Sequence, residues 1–261
     1  MARVGFIGVG RMGSALLTGF INKGLINPES VRIYDRDPHV MRGMNLHTEY
    51  SAFEVVEKSE IIFICVKPKD MDDVLDEIRD IAGSRLIVSI AAGIPLRRIE
   101  AKLREARVVR VMPNTPAMVG EMAAAYSMGR RALEEDSVLV GSLLNSIGVA
   151  YPVAEELLDA VTGLSGSGPA YAYYFIQAMM EGGIREGLPD EIARSLAIQT
   201  VRGAAGMALA TSKSLTELID DVRSPGGTTA EGLKTMDDRK VHESVAEAVQ
   251  AAARRSRQLG G

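Results

Sequence analysis

Hydrophobic residues in the first half of the chain form short, continuous apolar runs that are rich in β-branched side chains. Segments in which apolar residues recur at helical spacing lie between these runs. The predicted strands cover residues 3–8, 31–34, 61–66, 86–90 and 108–112. Strands that are apolar on both faces need cover on both faces, so the alternation predicts a parallel α/β sheet with helices on each side.

Helical spacing in this half is clearest over residues 12–23 and 71–81, and a third helix is predicted at 134–147. Two further strands are predicted on either side of that third helix, at 123–127 and 150–153.

The pattern changes near Glu155, and no strand pattern follows it. Segments with a period of about 3.6 residues predict helices over 169–186, 189–210 and 242–259. Their faces carry many small residues, and so much apolar surface is difficult to cover within a domain of this size. We therefore expect these helices to pack against a second copy of the chain.

Composition and charge exclude several classes of function. The net charge of −4 gives no support for a nucleic-acid or polybasic membrane surface. The three histidines are scattered, so no metal site is predicted. The single cysteine, Cys65, lies in an apolar run, which indicates a core thiol and fits a reducing compartment. No apolar stretch approaches the roughly 20 residues needed to cross a bilayer, and a cytoplasmic protein is expected.

The first candidate site is a Gly-x-Gly-x-x-Gly motif between the first predicted strand and the first predicted helix. In such a motif Gly8 makes a tight turn, and Gly10 lets the backbone approach a pyrophosphate. Gly13 lets the helix pack close to the strand, while the helix N-terminus faces the phosphate charge. This context predicts dinucleotide binding, with Arg11 and Met12 also at the cofactor.

The end of the second predicted strand bears on the choice of dinucleotide. Asp35 lies 22 positions beyond Gly13, where a carboxylate can accept a hydrogen bond from the adenine-ribose 2′-hydroxyl. A carboxylate there would repel a 2′-phosphate, which favours NADH. Arg36 can pair with that phosphate, which leaves NADPH open. A further interpretation is that Asp35 only caps a helix that begins near Pro38.

Three loops follow later strands, at the edge where an open α/β sheet binds its ligand. Their candidate cofactor residues are Val66, Lys67, Pro68, Ala91, Ala92, Gly93 and Asn114. Lys67 can hold a ribose hydroxyl or help to place a nicotinamide. Taken alone, each loop is also typical of an ordinary strand-to-helix connection.

The ordered set of motifs resembles the pyrroline-5-carboxylate reductase family over nearly the whole chain. In the first half the resemblance rests on the glycine motif and on residues 66–68, 89–93 and 110–116. In the helical half it rests on residues 163–171, 187–189, 199–200 and 232–233. The most specific motif is Ser-Pro-Gly-Gly-Thr-Thr at residues 224–229.

The resemblance implies an α/β protein with an N-terminal Rossmann-type, mostly parallel sheet (1–154) and an all-α C-terminal dimerisation domain (155–261). It implies a homodimer formed through the C-terminal helices, with decamers as a further possibility, and an active site between the domains. The implied reaction reduces 1-pyrroline-5-carboxylate to L-proline, by hydride transfer from nicotinamide C4 of NADH or NADPH to the imine carbon.

The resemblance also implies which residues hold this substrate, a five-membered cyclic imine with a carboxylate. The substrate-binding residues are Ser224, Gly226, Gly227, Thr228 and Thr229. Backbone N–H groups of the turn face the carboxylate, and the Thr229 hydroxyl, as the catalytic group, bonds the ring nitrogen. Glu155 matches a family glutamate near the nicotinamide. The residues alone also fit a Pro-Gly turn followed by a threonine N-cap.

Three positions depart from the family's pattern. Ser214-Leu215 replaces a His-Pro pair, Ser212 stands where some relatives have glutamate, and Asp221 stands where some have asparagine. These differences bear on the proton path and on substrate affinity, not on the class of reaction.

Two other functions fit part of the pattern. A dehydrogenase of the β-hydroxyacid type needs a catalytic lysine on a helix of the second domain, and residues 169–210 contain no lysine. A non-catalytic dinucleotide sensor would keep the glycine loop and lose the substrate turn, which is intact here.

Overall fold

The computed structural model describes residues 3–260, which form two compact units. The first unit contains the residues up to Ser167 and the end of the chain from Val249 onward, and the second is Gly168–Ala248.

The first unit contains a sheet that has eight strands within residues 3–260. In chain order they are β1 (Val4–Ile7), β2 (Val31–Tyr34), β3 (His47–Thr48), β4 (Ile61–Ile64), β5 (Leu86–Ser89), β6 (Arg107–Met112), β7 (Met122–Met128) and β8 (Gly148–Pro152). Their order in the sheet is β3-β2-β1-β4-β5-β6-β7-β8. Neighbouring strands are parallel except β6 and β7, which are antiparallel. The seven predicted strands are confirmed, and β3, with two residues, was not predicted.

Helices of the first unit connect these strands. They are α1 (Arg11–Asn22), α2 (Ala52–Glu57), α3 (Met71–Ile78), α4 (Leu96–Lys102), α5 (Glu134–Asn145) and α6 (Leu158–Val161). A π-helical turn, Thr162–Gly166, follows α6. The predicted helices at 12–23, 71–81 and 134–147 are confirmed as α1, α3 and α5. The third predicted turn of α3 is absent because the chain leaves the helix at Ile78 through ordinary turn bonds from the N–H groups of Ile81 and Ala82.

Both faces of the sheet are buried, as the apolar runs predict. On one face Phe6 and Phe63 from adjacent strands stack with ring centroids 4.7 Å apart, and Phe20 of α1 packs on them. On the other face Ile62 and Ile87 lie among the residues of α2, α3 and α4. Burying each such side chain contributes about 1.5–3 kcal/mol, so the strands are held from both sides.

The second unit is helical. Its helices are α7 (Gly168–Arg185), α8 (Asp190–Ala210), α9 (Leu215–Val222) and α10 (Thr228–Asp238), followed by α11 (Val241–Gly260), which ends in the first unit. The three long helices predicted here are confirmed as α7, α8 and α11. Gly187 ends α7 with a φ of 96°, and the Leu188 N–H donates back to the Gly183 carbonyl, a left-handed cap that only glycine adopts readily.

Very little of the second unit is buried. Among residues 168–248, only Ala193 and Ala197 are buried hydrophobic residues. Large apolar side chains on three of its helices are exposed, including Tyr174, Leu196 and Val222. A single copy of this unit therefore lacks a core made of large side chains.

Candidate functional site

The glycine loop between β1 and α1 is built so that two of its positions accept only glycine. Gly8 has a φ of 89°, and a Cβ there would lie 2.8 Å from the Cys65 carbonyl oxygen. A Cβ on Gly13 would lie 2.2 Å from the Gly8 carbonyl oxygen. The first turn of α1 is therefore held against the ends of β1 and β4, as the motif predicts.

Gly10 has a different role, because a Cβ there would have no neighbour within 4 Å. It is the N-cap of α1, and no side chain caps the helix at this end. The first N–H groups of a helix have no partner within the helix, and the dipole favours negative charge there. The start of α1 therefore fits a phosphate group approaching across Gly10.

A cleft of about 740 Å³ opens at this loop. It lies where β2 and β4 flank β1, the point at which the strand order reverses and at which doubly wound sheets bind dinucleotides. The predicted cofactor residues that line it are Gly8, Gly10, Arg11, Met12, Asp35, Arg36, Val66, Lys67, Pro68, Ala91, Ala92 and Asn114. Its volume is in the range of about 300–1,000 Å³ that is common for small-molecule sites.

Three predicted cofactor residues do not line the cleft. Gly13 lies behind the loop, in contact with Gly8 and Cys65. Gly93 is buried with a φ of 75°, where it turns the chain from β5 toward α4. Glu155 makes its contacts with Arg110 and Leu96 instead.

Two cations at the cleft have no carboxylate partner among residues 3–260. Arg11 is the first residue of α1, and Lys67 follows β4; both are exposed. Together with the helix N-terminus they provide positive charge on either side of the glycine loop. The arrangement suits a pyrophosphate.

The Asp35 carboxylate is bonded to the glycine loop itself. One oxygen accepts a hydrogen bond from the Val9 N–H at 2.8 Å, and the other accepts from the Asp37 N–H at 2.9 Å. A carboxylate has about four acceptor positions, so Asp35 retains capacity for a ribose hydroxyl. Asp37, not Asp35, caps the short helical turn at Pro38–Met41, since its carboxylate accepts from the His39 N–H.

Arg36 is paired across the mouth of the cleft. Its Nη1 lies 3.2 Å from the Asp70 carboxylate, at the start of α3. Further carboxylates line the same end of the cleft, on Asp37, Asp73 and Glu77. The sequence placed Arg36 beside Asp35 but gave no sign of this partner.

Asn114 connects three segments at the other end of the cleft. It is buried, its Nδ2 donates to the Ser165 carbonyl at 3.0 Å, and its Oδ1 accepts from the Ala123 N–H at 2.9 Å. Both ends of the amide are thus used within the protein. Asn114 thereby holds the π-helical turn, whose Gly166 lines the cleft, against the start of β7.

Glu155 forms a partly buried pair with Arg110. Its Oε1 accepts from Arg110 Nη1 at 2.9 Å and from the Leu96 N–H at 2.6 Å. The second bond satisfies a free N–H in the first turn of α4. Because α4 follows the loop that carries Ala91 and Ala92, Glu155 supports a wall of the cleft from behind.

Cys65 lies at the floor of the cleft, half-buried after β4. Burial raises the pKa of the Cys65 thiol well above its ordinary value. The thiol is therefore protonated at neutral pH, which fits the expectation of a structural cysteine.

The turn that begins the most specific motif lies in the second unit. Ser224 to Gly227 form a β-turn closed by the Gly227 N–H, which donates to the Ser224 carbonyl at 3.0 Å. Pro225 stands at the second position of the turn and Gly226, with a φ of 68°, at the third. This arrangement is typical of a type II turn. A Cβ on Gly227 would lie 2.2 Å from Ser224 Oγ.

Helix α10 begins directly after this turn. Its N-cap is Gly227, without a capping side chain, so neither threonine has the N-cap role that the residues alone allowed. Within residues 3–260 the N–H groups of Thr228 and Thr229 donate to no other group. Thr229 is half-buried, whereas Ser224 and Thr228 are exposed. The start of α10 therefore offers free N–H groups beside the Thr229 side chain.

Two of the departures from the family pattern have local structural roles. Ser214 caps α9, since its hydroxyl accepts from the Glu217 N–H and the Glu217 carboxylate accepts from the Ser214 N–H. The Glu217 carboxylate accepts hydrogen bonds from both the N–H and the hydroxyl of Ser214, and these lower the pKa of Glu217. Asp221 pairs with Lys213 at 2.6 Å.

Residues 3–260 lack the features of two other kinds of site. They contain no group of three or more histidine, cysteine, aspartate or glutamate side chains placed to hold a metal ion. In the same range, no helix has the length and apolar character required to cross a membrane.

Comparison with protein-family models matches both parts of the chain. Residues 155–259 match the model described as pyrroline-5-carboxylate reductase dimerisation. Residues 3–93 match the model described as NADP oxidoreductase, coenzyme F420-dependent. The helical half is thus a self-association domain, and the cleft belongs to a pyridine-nucleotide domain.

Comparison with individual proteins extends the match to the whole chain. The chain is 41% identical to pyrroline-5-carboxylate reductase of Methanosarcina acetivorans, over 99% of this chain and 98% of the relative. It is 40% identical to the Arabidopsis thaliana enzyme of the same name, over 98% and 95%. A crystal structure of Plasmodium falciparum pyrroline carboxylate reductase with NADP bound matches with a TM-score of 0.93 and 33% identity, over 100% and 98%. The chain therefore belongs to the pyrroline-5-carboxylate reductase family.

Proposed function

We propose that this protein reduces 1-pyrroline-5-carboxylate to L-proline with a reduced nicotinamide dinucleotide. In this reaction the C=N bond of the ring accepts a hydride at carbon and carries a proton at nitrogen, which gives a secondary amine. A reduced nicotinamide, when bound, supplies the hydride. The iminium form of the substrate brings its own proton, so the protein needs no strong acid.

The observation that carries the proposal is the start of α10. The free N–H groups of Thr228 and Thr229 follow a turn whose glycines leave the backbone uncovered. Consecutive N–H groups at a helix N-terminus bind anions such as a carboxylate. A carboxylate held there brings the adjacent ring nitrogen close to the hydroxyl of Thr229.

Thr229 is the residue to which we assign the catalytic contact. Its hydroxyl can accept a hydrogen bond from the protonated ring nitrogen and so favour the electrophilic form of the imine. Hydrogen bonds to a charged group are worth about 1.5–3 kcal/mol. Ser224, Gly226 and Gly227 shape the turn that holds the carboxylate.

The cofactor side of the proposal rests on the cleft in the first unit. The start of α1, Arg11 and Lys67 suit the pyrophosphate, and Asp35 suits a ribose 2′-hydroxyl. Several carboxylates at that end of the cleft disfavour an added phosphate. We therefore propose that NADH is used in preference to NADPH. We also propose a cytoplasmic location, which the lone thiol of Cys65 fits.

We further propose that two copies of the chain form a dimer through the helices of the second unit. The exposed apolar side chains of α7, α8 and α9 exceed what the unit buries by itself. Apolar patches of this extent are characteristic of interaction surfaces, and a two-fold dimer is the commonest way to cover them.

The reaction is tested by following the absorbance of NADH and of NADPH, with and without 1-pyrroline-5-carboxylate, and by assaying proline. We expect substrate-dependent oxidation and proline formation, faster with NADH. If a folded chain that binds dinucleotide oxidises neither cofactor, the enzyme proposal is wrong and a non-catalytic sensor is favoured.

The assignment of Thr229 is tested by T229V, which removes the hydroxyl and keeps the shape. We expect kcat/KM for the pyrroline to fall about 10- to 100-fold, the factor that corresponds to loss of a hydrogen bond to a charged group. T235V is the matched control, since Thr235 is exposed on α10 and its hydroxyl donates to the Glu231 carbonyl of the same helix. Equal activity of T229V and T235V would contradict the assignment.

A further inference from the structure

We propose that Asp70 is a specificity-determining residue, which holds the Arg36 guanidinium away from the ribose position and thereby disfavours NADPH. The inference rests on the proposed function and deepens its cofactor preference. Asp70 lies 34 residues from Arg36 in sequence, so only the fold brings the two together.

Arg36 and Asp70 form an ion pair across the cleft. Arg36 follows β2, and Asp70 precedes α3 after the loop that leaves β4. Arg36 Nη1 donates to Asp70 Oδ1 at 3.2 Å. Both side chains line the cleft, on the two sides of β1. The pair therefore joins the two sides of the cleft near the end of β2, the strand end at which doubly wound sheets hold the adenine ribose.

The side chains of the two partners differ in how far they are exposed and therefore in how far they can move. The Arg36 side chain is 75% exposed, whereas that of Asp70 is 21% exposed. The Asp70 backbone is held in a short turn, since its N–H donates to the Lys67 carbonyl at 2.9 Å. Asp70 is thus the fixed partner, and its position determines where the long Arg36 side chain points.

The cleft contains two further cations besides Arg36. Among the residues that line it, the remaining basic side chains are Arg11 at the glycine loop and Lys67 after β4. Neither follows β2, the strand whose end carries Asp35. Arg36 is therefore the cation placed to pair with a 2′-phosphate, and a bidentate pair with phosphate requires it to leave Asp70.

The Asp70 carboxylate opposes NADPH in two ways. It competes with the phosphate for the guanidinium, and it adds a negative charge close to where the phosphate would lie. A 2′-hydroxyl carries no charge, so NADH binding is affected far less. Removing the charge of Asp70 should therefore alter the ratio of the two affinities.

The test compares D70N with the parent chain in dissociation constants for NADPH and NADH, measured by fluorescence titration, and in kcat/KM. We expect D70N to shift the NADPH-to-NADH affinity ratio by about tenfold toward NADPH. D72N is the matched control. It breaks the Asp72–Arg98 pair at the start of the same helix, away from the cleft, and should leave the ratio unchanged.

The R36Q background separates the two ways in which Asp70 could act. If Asp70 acts by holding Arg36, D70N changes the ratio less in R36Q than in the parent chain. An unchanged ratio in D70N, an equal shift in D72N, or the same shift in the R36Q background would each overturn the proposal. Because the titrations need no turnover, a chain that binds dinucleotide but does not reduce the pyrroline would contradict only the proposed reaction.

Discussion

Gly10 and Gly13 are three residues apart in one loop and are required for different reasons. Gly13 is confined by the protein, because a side chain there meets the backbone of Gly8. At Gly10 only a bound ligand would exclude a side chain, because no protein atom lies within 4 Å of the position that a Cβ would take. The motif predicts three essential glycines, and the structure separates the folding role from the binding role.

This difference predicts opposite results for two alanine variants. G13A forces α1 away from β1 and should lower the free energy of unfolding by about 1–3 kcal/mol, as overpacked sites do. Gly10 has a negative φ, which alanine tolerates. The free energy of unfolding of G10A should therefore equal that of the parent chain. G10A should nevertheless weaken dinucleotide binding by about tenfold or more, which corresponds to at least 1.4 kcal/mol.

Thermal unfolding and fluorescence titration of both variants are the measurements. A G10A chain that binds as tightly as the parent would show that no phosphate crosses the start of α1. A fully stable G13A chain would contradict the packing argument.

Cys65 gives a prediction about pH. Because burial raises the pKa of its thiol, the folded chain keeps the thiol protonated at mildly alkaline pH, where an unfolded cysteine with a pKa of about 8.5 ionises. Below about pH 8.5 the raised pKa leaves the free energy of unfolding unchanged. At higher pH it lowers the free energy of unfolding, because the unfolded chain loses the thiol proton and the folded chain keeps it. Iodoacetamide at pH 8 should alkylate Cys65 slowly in buffer and rapidly in urea, as measured by mass spectrometry. Equal rates would contradict a protected thiol.

At the scale of elements, polar side chains connect the loops that border the cleft. Asn114 joins the segment after β6 to β7 and to the π-helical turn. Glu155 joins β6 to the start of α4 through Arg110 and Leu96. Asn114 was predicted to bind the cofactor as part of a loop at the sheet edge, and Glu155 through the family resemblance. Their bonds within the protein support the walls of the cleft, and direct contact with the dinucleotide remains a prediction for both.

Glu155 can be tested by mutation. E155A leaves the Arg110 side chain, which is 8% exposed, without its carboxylate. Breaking a buried pair costs about 3–5 kcal/mol, and because Glu155 is 28% exposed we expect a loss of about 2–3 kcal/mol in the free energy of unfolding. E156A alters an exposed neighbour and should change stability by less than about 0.5 kcal/mol. The measurement is urea unfolding of E155A and E156A. Similar midpoints of unfolding for the two variants would contradict a stabilising role for the Arg110–Glu155 pair.

At the scale of the whole molecule, the two units differ in how they are stabilised. The first unit has apolar clusters on both faces of its sheet. The second exposes large side chains along α7, α8 and α9 and buries only two alanines. Because large apolar side chains contribute most to stability, the helical unit is expected to depend on a second copy for its own folding.

Dependence on a second copy predicts that unfolding varies with protein concentration. We expect the Tm to rise as the chain is concentrated, because association stabilises the folded state by mass action. L196E, on the exposed face of α8, should shift the chain toward monomer in sedimentation. V138E alters an exposed apolar residue on α5 of the first unit and should leave the association state unchanged. A stable monomer at micromolar concentration for the parent chain would refute the dimer.

Short elements and distant pairs are where prediction from the sequence was incomplete. Helices α2, α4, α6, α9 and α10 were not predicted. All of them except α10 have only about one or two turns, which is few residues for establishing a period. The pairs Arg36–Asp70, Arg110–Glu155 and Asn114–Ser165 join residues 34, 45 and 51 positions apart. Nothing in the local pattern of either partner indicates the other.

The sequence by itself determined the strands, the long helices and the glycine loop of this protein. Those features depend on the period of apolar residues and on backbone freedom, and both are local properties of the chain. The tertiary structure decided which side chains meet at the cleft, because parallel strands distant in sequence end at one edge of the sheet. That edge places Asp35 against Val9 and Arg36 against Asp70, and only the order and register of the strands determine such contacts.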